Sequence, residues 1–243
     1  MLLIHGFHTT ERAARLDLHN FRTAIADFAP ALAKSIFIVT WPGNSLGGPA
    51  AYPWMIGNAR SAAPVLRRGI ESWYEQQDGP KVLTLVAHSL GCRLTLEALA
   101  SLDRSKLRKL ERLDVFLMAA AVPVGLQKLI NDAQKVATSI TVLCSAADEV
   151  LRIAFPLGET FAGEGWMPRA VGRFGEPWGM SWFAVRNMRG FNHGDYWRDH
   201  LAPAVISGFM HHLSPNLVIR GLPRDRGSLP HHRLPSTTAL PKA

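Results

Sequence analysis

The residues able to do chemistry fall in four short stretches. Ala87-His88-Ser89-Leu90-Gly91 follows the apolar run VLTLVA and leads into a segment of helical periodicity. A serine on a sharp strand-to-helix turn tolerates only small residues two positions to either side, and Ala87 and Gly91 meet that need. The turn lifts the hydroxyl onto an exposed elbow above the sheet edge. It also aims the Leu90 amide, at a helix N-terminus, towards the oxyanion of a tetrahedral intermediate. Ile4-His5-Gly6-Phe7 ends another apolar run, where a His-Gly turn lets the Phe7 N–H complete an oxyanion hole with Leu90. His5 and His8 otherwise read as turn histidines, because no carboxylate or third histidine lies at metal-ligand spacing. Beyond the run SITVL stands Cys144-Ser145-Ala146-Ala147-Asp148-Glu149, and Gly190-Phe191-Asn192-His193-Gly194-Asp195 lies nearer the C-terminus. A lone acid or histidine in a loop is ordinarily a solvated one. These two gain weight from the order Ser89, Asp148, His193.

The acid has competitors. Asp114 opens its strand, at the edge of a parallel sheet opposite the one that carries sites. Asp132 lies on the polar side of a helical stripe. Asp195 follows His193 too closely to approach its ring from behind. Asp148 and Glu149 both lie past the C-terminal end of SITVL. The small Ala146 and Ala147 let the loop turn the Asp148 carboxylate inward, whereas Glu149 faces solvent.

The elements that must hold these groups alternate. Apolar runs at 2–5, 36–41, 82–87, 115–121, 139–143 and 184–188 read as strands, continuous rather than alternating in polarity. Helical stripes run through Ala14, Leu18, Phe21, Ile25 and Phe28, then Ala62, Val65, Leu66, Gly69, Ile70 and Trp73, then Leu94, Ala98 and Leu99. Others follow from Leu126 to Val136 and from Leu201 to Leu213. A Gly/Pro-rich loop extends to about Ile56, and Asp78-Gly79-Pro80 reads as a turn. This βα alternation predicts an α/β domain with a parallel sheet buried on both faces, so that IFIVTW (36–41) is expected to be a buried strand. Residues 151–183 show no period and read as a lid or insert. Their aromatics Phe155, Phe161, Trp166, Phe174, Trp178 and Trp182 either line an apolar acyl pocket or pack a small core of their own.

Composition bounds the rest. The 243 residues carry 27 Lys+Arg against 19 Asp+Glu, a net charge of +8, with 47% apolar residues. That is too apolar for disorder and fits one large domain or two small ones. Half of the net charge lies in the Pro-rich stretch 214–243, which reads as a loosely ordered tail. The cluster Arg104, Lys106, Arg108, Lys109 and Arg112 reads as a solvated helix end. No nucleic-acid motif accompanies it, so no nucleic-acid partner is expected. No stretch reads as a transmembrane helix, and MLLIHGF lacks the basic start of a signal peptide, which makes a cytoplasmic location the expectation. Cys92 and Cys144 read as free buried thiols.

With these motifs in this order the sequence resembles the α/β-hydrolase superfamily, over roughly Met1 to Leu213. The HGF turn, the TWPG segment at 40–43, Tyr52 and AHSLG are similar to a bacterial branch of uncharacterised serine hydrolases, esterase- or lipase-like. The resemblance implies a mostly parallel sheet of about six strands with helices on both faces. The sheet would begin at the family's third strand, with IFIVTW at one edge. It implies Ser89 as nucleophile, Asp148 as acid, His193 as base, and Phe7 and Leu90 as oxyanion-hole donors. Ala87 departs from the usual glycine at the elbow. The implied chemistry is acyl transfer from a small-molecule ester, with no metal or organic cofactor. Thioesterase, acyltransferase or amidase chemistry would use the same residues, and a hydrolase-fold binding protein with an unused site is the reading from another class.

Overall fold

The strands Leu2–Ile4 (β1), Phe37–Val39 (β2), Val82–His88 (β3), Arg112–Met118 (β4), Ser139–Cys144 (β5) and Ala184–Asn187 (β6) form one sheet, ordered β2-β1-β3-β4-β5-β6. Every neighbouring pair is parallel. The longest register sets Val82 opposite Arg112 and runs to His88 opposite Met118. The structure, a computed structural model, describes residues 1–7, 10–43, 51–76, 79–175 and 184–213. His8, Asp78, Trp178, Trp182, the loop at 44–50, part of the expected insert and the expected tail at 214–243 lie outside them.

Alternation along the strands explains why these runs are continuously apolar. Leu2 and Ile4, Leu83, Leu85 and Ala87, and Leu113, Val115 and Leu117 belong to one hydrophobic cluster. Leu3, Val86, Phe116 and Met118 belong to another, on the opposite face. The first cluster is covered by Tyr52–Gln76 (α3), Leu90–Ala100 (α4) and Gln127–Val136 (α5). The second is covered by Glu11–Phe28 (α1) and Leu201–Leu213 (α9). The α1 helix starts where the Thr10 side chain accepts from the Ala13 N–H at 3.1 Å. It buries Ala14, Leu18, Phe21 and Ile25 and stops at the residue before Pro30, Ala29, whose φ of −141° and ψ of 75° lie outside the helical region. Pro30 then opens the short helix Pro30–Ala33 (α2).

Three expectations are corrected. The edge strand β2 is shorter than the run at 36–41 and is not buried: Phe37 and Ile38 are exposed, because only β1 flanks it. The α3 helix begins at Tyr52 rather than after Ile56. Pro53 sits in its first turn, where a missing N–H costs nothing. Val65, assigned to its buried face, is exposed. Residues 150–174, expected to be irregular, form a π-helical turn at Val150–Ala154 and the helices Phe155–Phe161 (α6) and Val171–Phe174 (α7).

Candidate active site

The C-terminal ends of β1, β3 and β5 and the loop after β6 converge on Ser89. Ser89 joins β3 to α4 with φ 53° and ψ −126°, a conformation L residues avoid. Three backbone bonds hold it there: Ser89 N–H to the Met118 carbonyl at 3.0 Å, and the Cys92 and Ala121 N–H groups to the Ser89 carbonyl at 3.0 and 3.2 Å. The turn has room only for glycines on two sides. A Cβ on Gly91 would lie 2.3 Å from the His5 carbonyl oxygen, and one on Gly6 would lie 2.8 Å from the Ser89 Cβ. The elbow is not exposed as expected: Ser89 is only 6% accessible, at the floor of the site.

His193 lies in the loop between β6 and the short helix Asp195–Arg198 (α8). Its Nδ1 is 2.8 Å from Asp148 Oδ2 and its Nε2 is 2.8 Å from Ser89 Oγ. A carboxylate can only accept, so Nδ1 carries the proton and Nε2 presents its lone pair to the serine hydroxyl. Asp148 is fully buried, and its other oxygen accepts from the Leu151 N–H at 2.9 Å. The competing acids stand elsewhere. Glu149 is exposed and paired with Arg152. Asp132 is paired with Lys128 and Lys135. Asp114 is buried between Arg112 and Ser139 at the far end of β4. Asp195 accepts from the Asn192 N–H at 2.7 Å and shapes the His193 loop.

Leu90 is the first residue of α4, so its N–H has no acceptor within the helix and stands at the positive end of the dipole. Phe7 follows Gly6 against Ser89 on the other side. His5 steadies that turn. The Trp41 N–H donates to its Nε2 at 3.3 Å, which leaves Nδ1 to donate to the Gly6 carbonyl at 2.8 Å. The Trp41 indole bonds the His5 carbonyl at 2.8 Å. Burial lowers the His5 pKa and keeps the ring neutral.

Residues to which the sequence assigns no role of their own complete the surroundings. His88 is buried, its Nε2 donates to the His193 carbonyl at 2.7 Å, and its ring packs among those of His193, Tyr196 and Trp197. Burial, with the neighbouring His193, pushes its pKa down to about 3, so it is an uncharged donor. Tyr52 packs edge-on against Phe7, with centroids 5.6 Å apart, and donates to Glu159 Oε1 at 2.9 Å. The only sequence signal for His88 was its place beside Ser89. For Glu159, 107 residues from Tyr52, there was none.

The described aromatics of 155–182, Phe155, Phe161, Trp166 and Phe174, do neither thing expected of them. Phe155 is buried behind Tyr52, 6.4 Å between centroids, while Phe161, Trp166 and Phe174 face solvent. A cavity of about 760 Å³ lies elsewhere, between β2 and α3, and is lined by Phe37, Ile38, Trp41, Leu66, Ile70 and Trp73 among others. It has no titratable residue in its walls and none of Ser89, Asp148 or His193. Among the described residues no three His, Cys, Asp or Glu side chains group as metal ligands, and no helix is long and apolar enough to cross a membrane. Cys92 and Cys144 are free and buried.

The sequence profile of the alpha/beta hydrolase family matches residues 1–240. The chain belongs to the alpha/beta hydrolase family. This places it among hydrolases, with the fold that the six-stranded parallel sheet displays. Solved structures are similar to the chain at low sequence identity. Arabidopsis thaliana SOBER1 is 14% identical over 87% of this chain and 96% of its own, with a TM-score of 0.51. An uncharacterised Bacillus cereus protein is 10% identical over 88% of this chain and 58% of its own, with a TM-score of 0.50. A predicted CIB-like hydrolase from Thermoplasma acidophilum is 13% identical over 87% and 85%, with a TM-score of 0.49. No curated protein matches the chain.

Proposed function

We propose that this alpha/beta hydrolase is a serine hydrolase that cleaves carboxylic esters through an acyl-enzyme. Its site would be Ser89, His193 and Asp148, with the Phe7 and Leu90 amides as oxyanion-hole donors. The observation that supports the reading is the unbroken hydrogen-bonded chain from Asp148 through His193 to Ser89, two links of 2.8 Å each. His193 Nε2 takes the Oγ proton as Oγ bonds to the ester carbonyl carbon. The Phe7 and Leu90 amides hold the oxyanion, and Asp148 stabilises the imidazolium. Collapse of the intermediate breaks the bond to the alkoxy oxygen, which leaves as the alcohol with the proton from His193. Water, deprotonated by the same nitrogen, then frees the carboxylic acid and returns the proton to Ser89.

A fluorophosphonate probe tests this reading. The wild-type chain is expected to be labelled at Ser89 and the Ser89→Ala chain not at all. Absence of label on folded wild type would overturn it. Comparing matched ester, thioester and anilide substrates on unlabelled wild-type protein then identifies the leaving group it prefers.

A further inference from the structure

The helix that follows Asp148 is amphipathic in reverse. The π-helical turn and α6 bury Phe155 and, with it, the fully inaccessible carboxyl of Glu159. Val150, Ile153, Leu157 and Phe161 recur every three or four residues on the outside, along one exposed stripe. The Met167 N–H donates to Thr160 Oγ1 at 2.8 Å, which brings Trp166 and Met167 against the end of that stripe. Phe161 is 80% accessible and Trp166 is 85%. A helix that buries its carboxyl and leaves Val150, Ile153, Leu157 and Phe161 exposed presents an apolar outer face of the kind that marks interaction sites.

Charge decides which partner. Residues 149–174 contain six charged side chains, and Glu159 is buried among them. Glu164 is paired with Arg60 and Arg93, and Glu149 with Arg152. The remaining two are Arg169 and Arg173, both against the exposed Phe174 ring, 5.2 and 4.7 Å from its centroid. An apolar stripe carrying Phe161, with Trp166 exposed near its end and Arg169 and Arg173 around Phe174 of α7, which packs against the π-helical turn, has the chemistry of a bilayer interface.

We propose that this face docks on an anionic lipid surface, with the stripe at the boundary of headgroups and acyl chains and Arg169 and Arg173 at the phosphates. The stripe begins two residues after Asp148, and Phe155 on its inner side touches Tyr52, which touches Phe7. Docking therefore sets against the lipid a helix whose inner side packs on Tyr52, the neighbour of Phe7. The corollary, that the substrates are lipid acyl esters, rests on the proposed ester hydrolysis, whereas the docking does not.

The experiment is co-sedimentation of the Ser89→Ala chain, which turns nothing over, with vesicles of phosphatidylcholine alone and of phosphatidylcholine mixed with phosphatidylglycerol. Binding to the mixed vesicles is expected, weaker on phosphatidylcholine and reduced by salt. Adding Phe161→Ser and Trp166→Ser, at positions too exposed to threaten folding, should lower the partition coefficient at least about tenfold with the melting temperature unchanged. A chain that stays in the supernatant with mixed vesicles overturns the proposal, and so does full binding by the doubly substituted chain. A dimer in analytical ultracentrifugation that Phe161→Ser dissociates, without vesicle binding, overturns it in favour of a second copy on this face. Vesicle binding by a wild-type chain that takes no fluorophosphonate would leave the docking intact and remove only the ester hydrolysis.

Discussion

At the scale of single residues, the site depends on forced protonation states. The His193 carbonyl can only accept, so His88 must donate. Asp148 can only accept, so His193 must donate from Nδ1 and offer Nε2 to Ser89. Replacing Asp148 with Asn puts a donor within reach of Nδ1 and favours the wrong tautomer. Asp148→Asn is therefore expected to lower kcat by at least about two decades. Glu149→Gln, which disturbs only an exposed pair with Arg152, should leave kcat unchanged; steady-state kinetics on an activated ester checks both. His88→Phe keeps a ring in the aromatic cage but cannot hold the His193 carbonyl. It should cost about tenfold in kcat at nearly constant KM, with about 1 kcal/mol of stability lost in a denaturant titration. Ser89, Asp148 and His193 were legible because each follows a strand at the sheet edge where such sites form. His88 was not, since its partner lies 105 residues away and no local pattern encodes that contact.

At the scale of elements, the turn from β3 into α4 was readable because an apolar strand, a small-residue elbow and a helical stripe occur in immediate succession. The α6 helix was not. Sequence patterning assumes that apolar faces point inward, and here Leu157 and Phe161 point out while Glu159 points in. Glu159 holds α6 to α3 by accepting from the Tyr52 hydroxyl, and Gly158 lets the helix close on the Tyr52 ring, where a Cβ would come within 2.3 Å. Burial raises the Glu159 pKa from 4.5 to about 7, outweighing the Tyr52 hydrogen bond and the nearby Arg93 and Arg60, which favour the charged form; Glu164 opposes it. The folded state thus keeps a proton that the unfolded chain releases. The contribution of Glu159 to stability therefore falls as pH rises from about 4.5 to about 7, by about 3 kcal/mol in all, and the loss levels off above that. Gln cannot ionise. Glu159→Gln should match the wild-type melting temperature near pH 5 and exceed it near pH 8. A difference that does not grow with pH would show that this carboxyl does not titrate in that window.

At the scale of the whole molecule, the sheet is exposed at both margins, β2 and β6. The βα alternation made the parallel sheet and its two faces readable, because continuous apolar runs require cover on both sides. The exposure of β2 could not be read from IFIVTW, since a strand's composition does not tell how many neighbours it has. Both hydrophobic clusters draw their residues from Met1 to Met210, the strands end at Asn187, and the bonded chain of Asp148, His193 and Ser89 lies within the same span. Residues 220–243 carry five Lys/Arg against one Asp, half of the net charge of +8, and their sequence has no periodic apolar face. A chain ending at Ile219 is therefore expected to keep its fluorophosphonate labelling rate. Its melting temperature should stay within about 3 °C of the full chain, the shift that roughly 1 kcal/mol produces in a domain of this size. Differential scanning calorimetry of the two chains at equal ionic strength makes the comparison. A fall well beyond that margin would mean that the last 24 residues pack on the fold. A fall in labelling at constant melting temperature would mean instead that they reach the site.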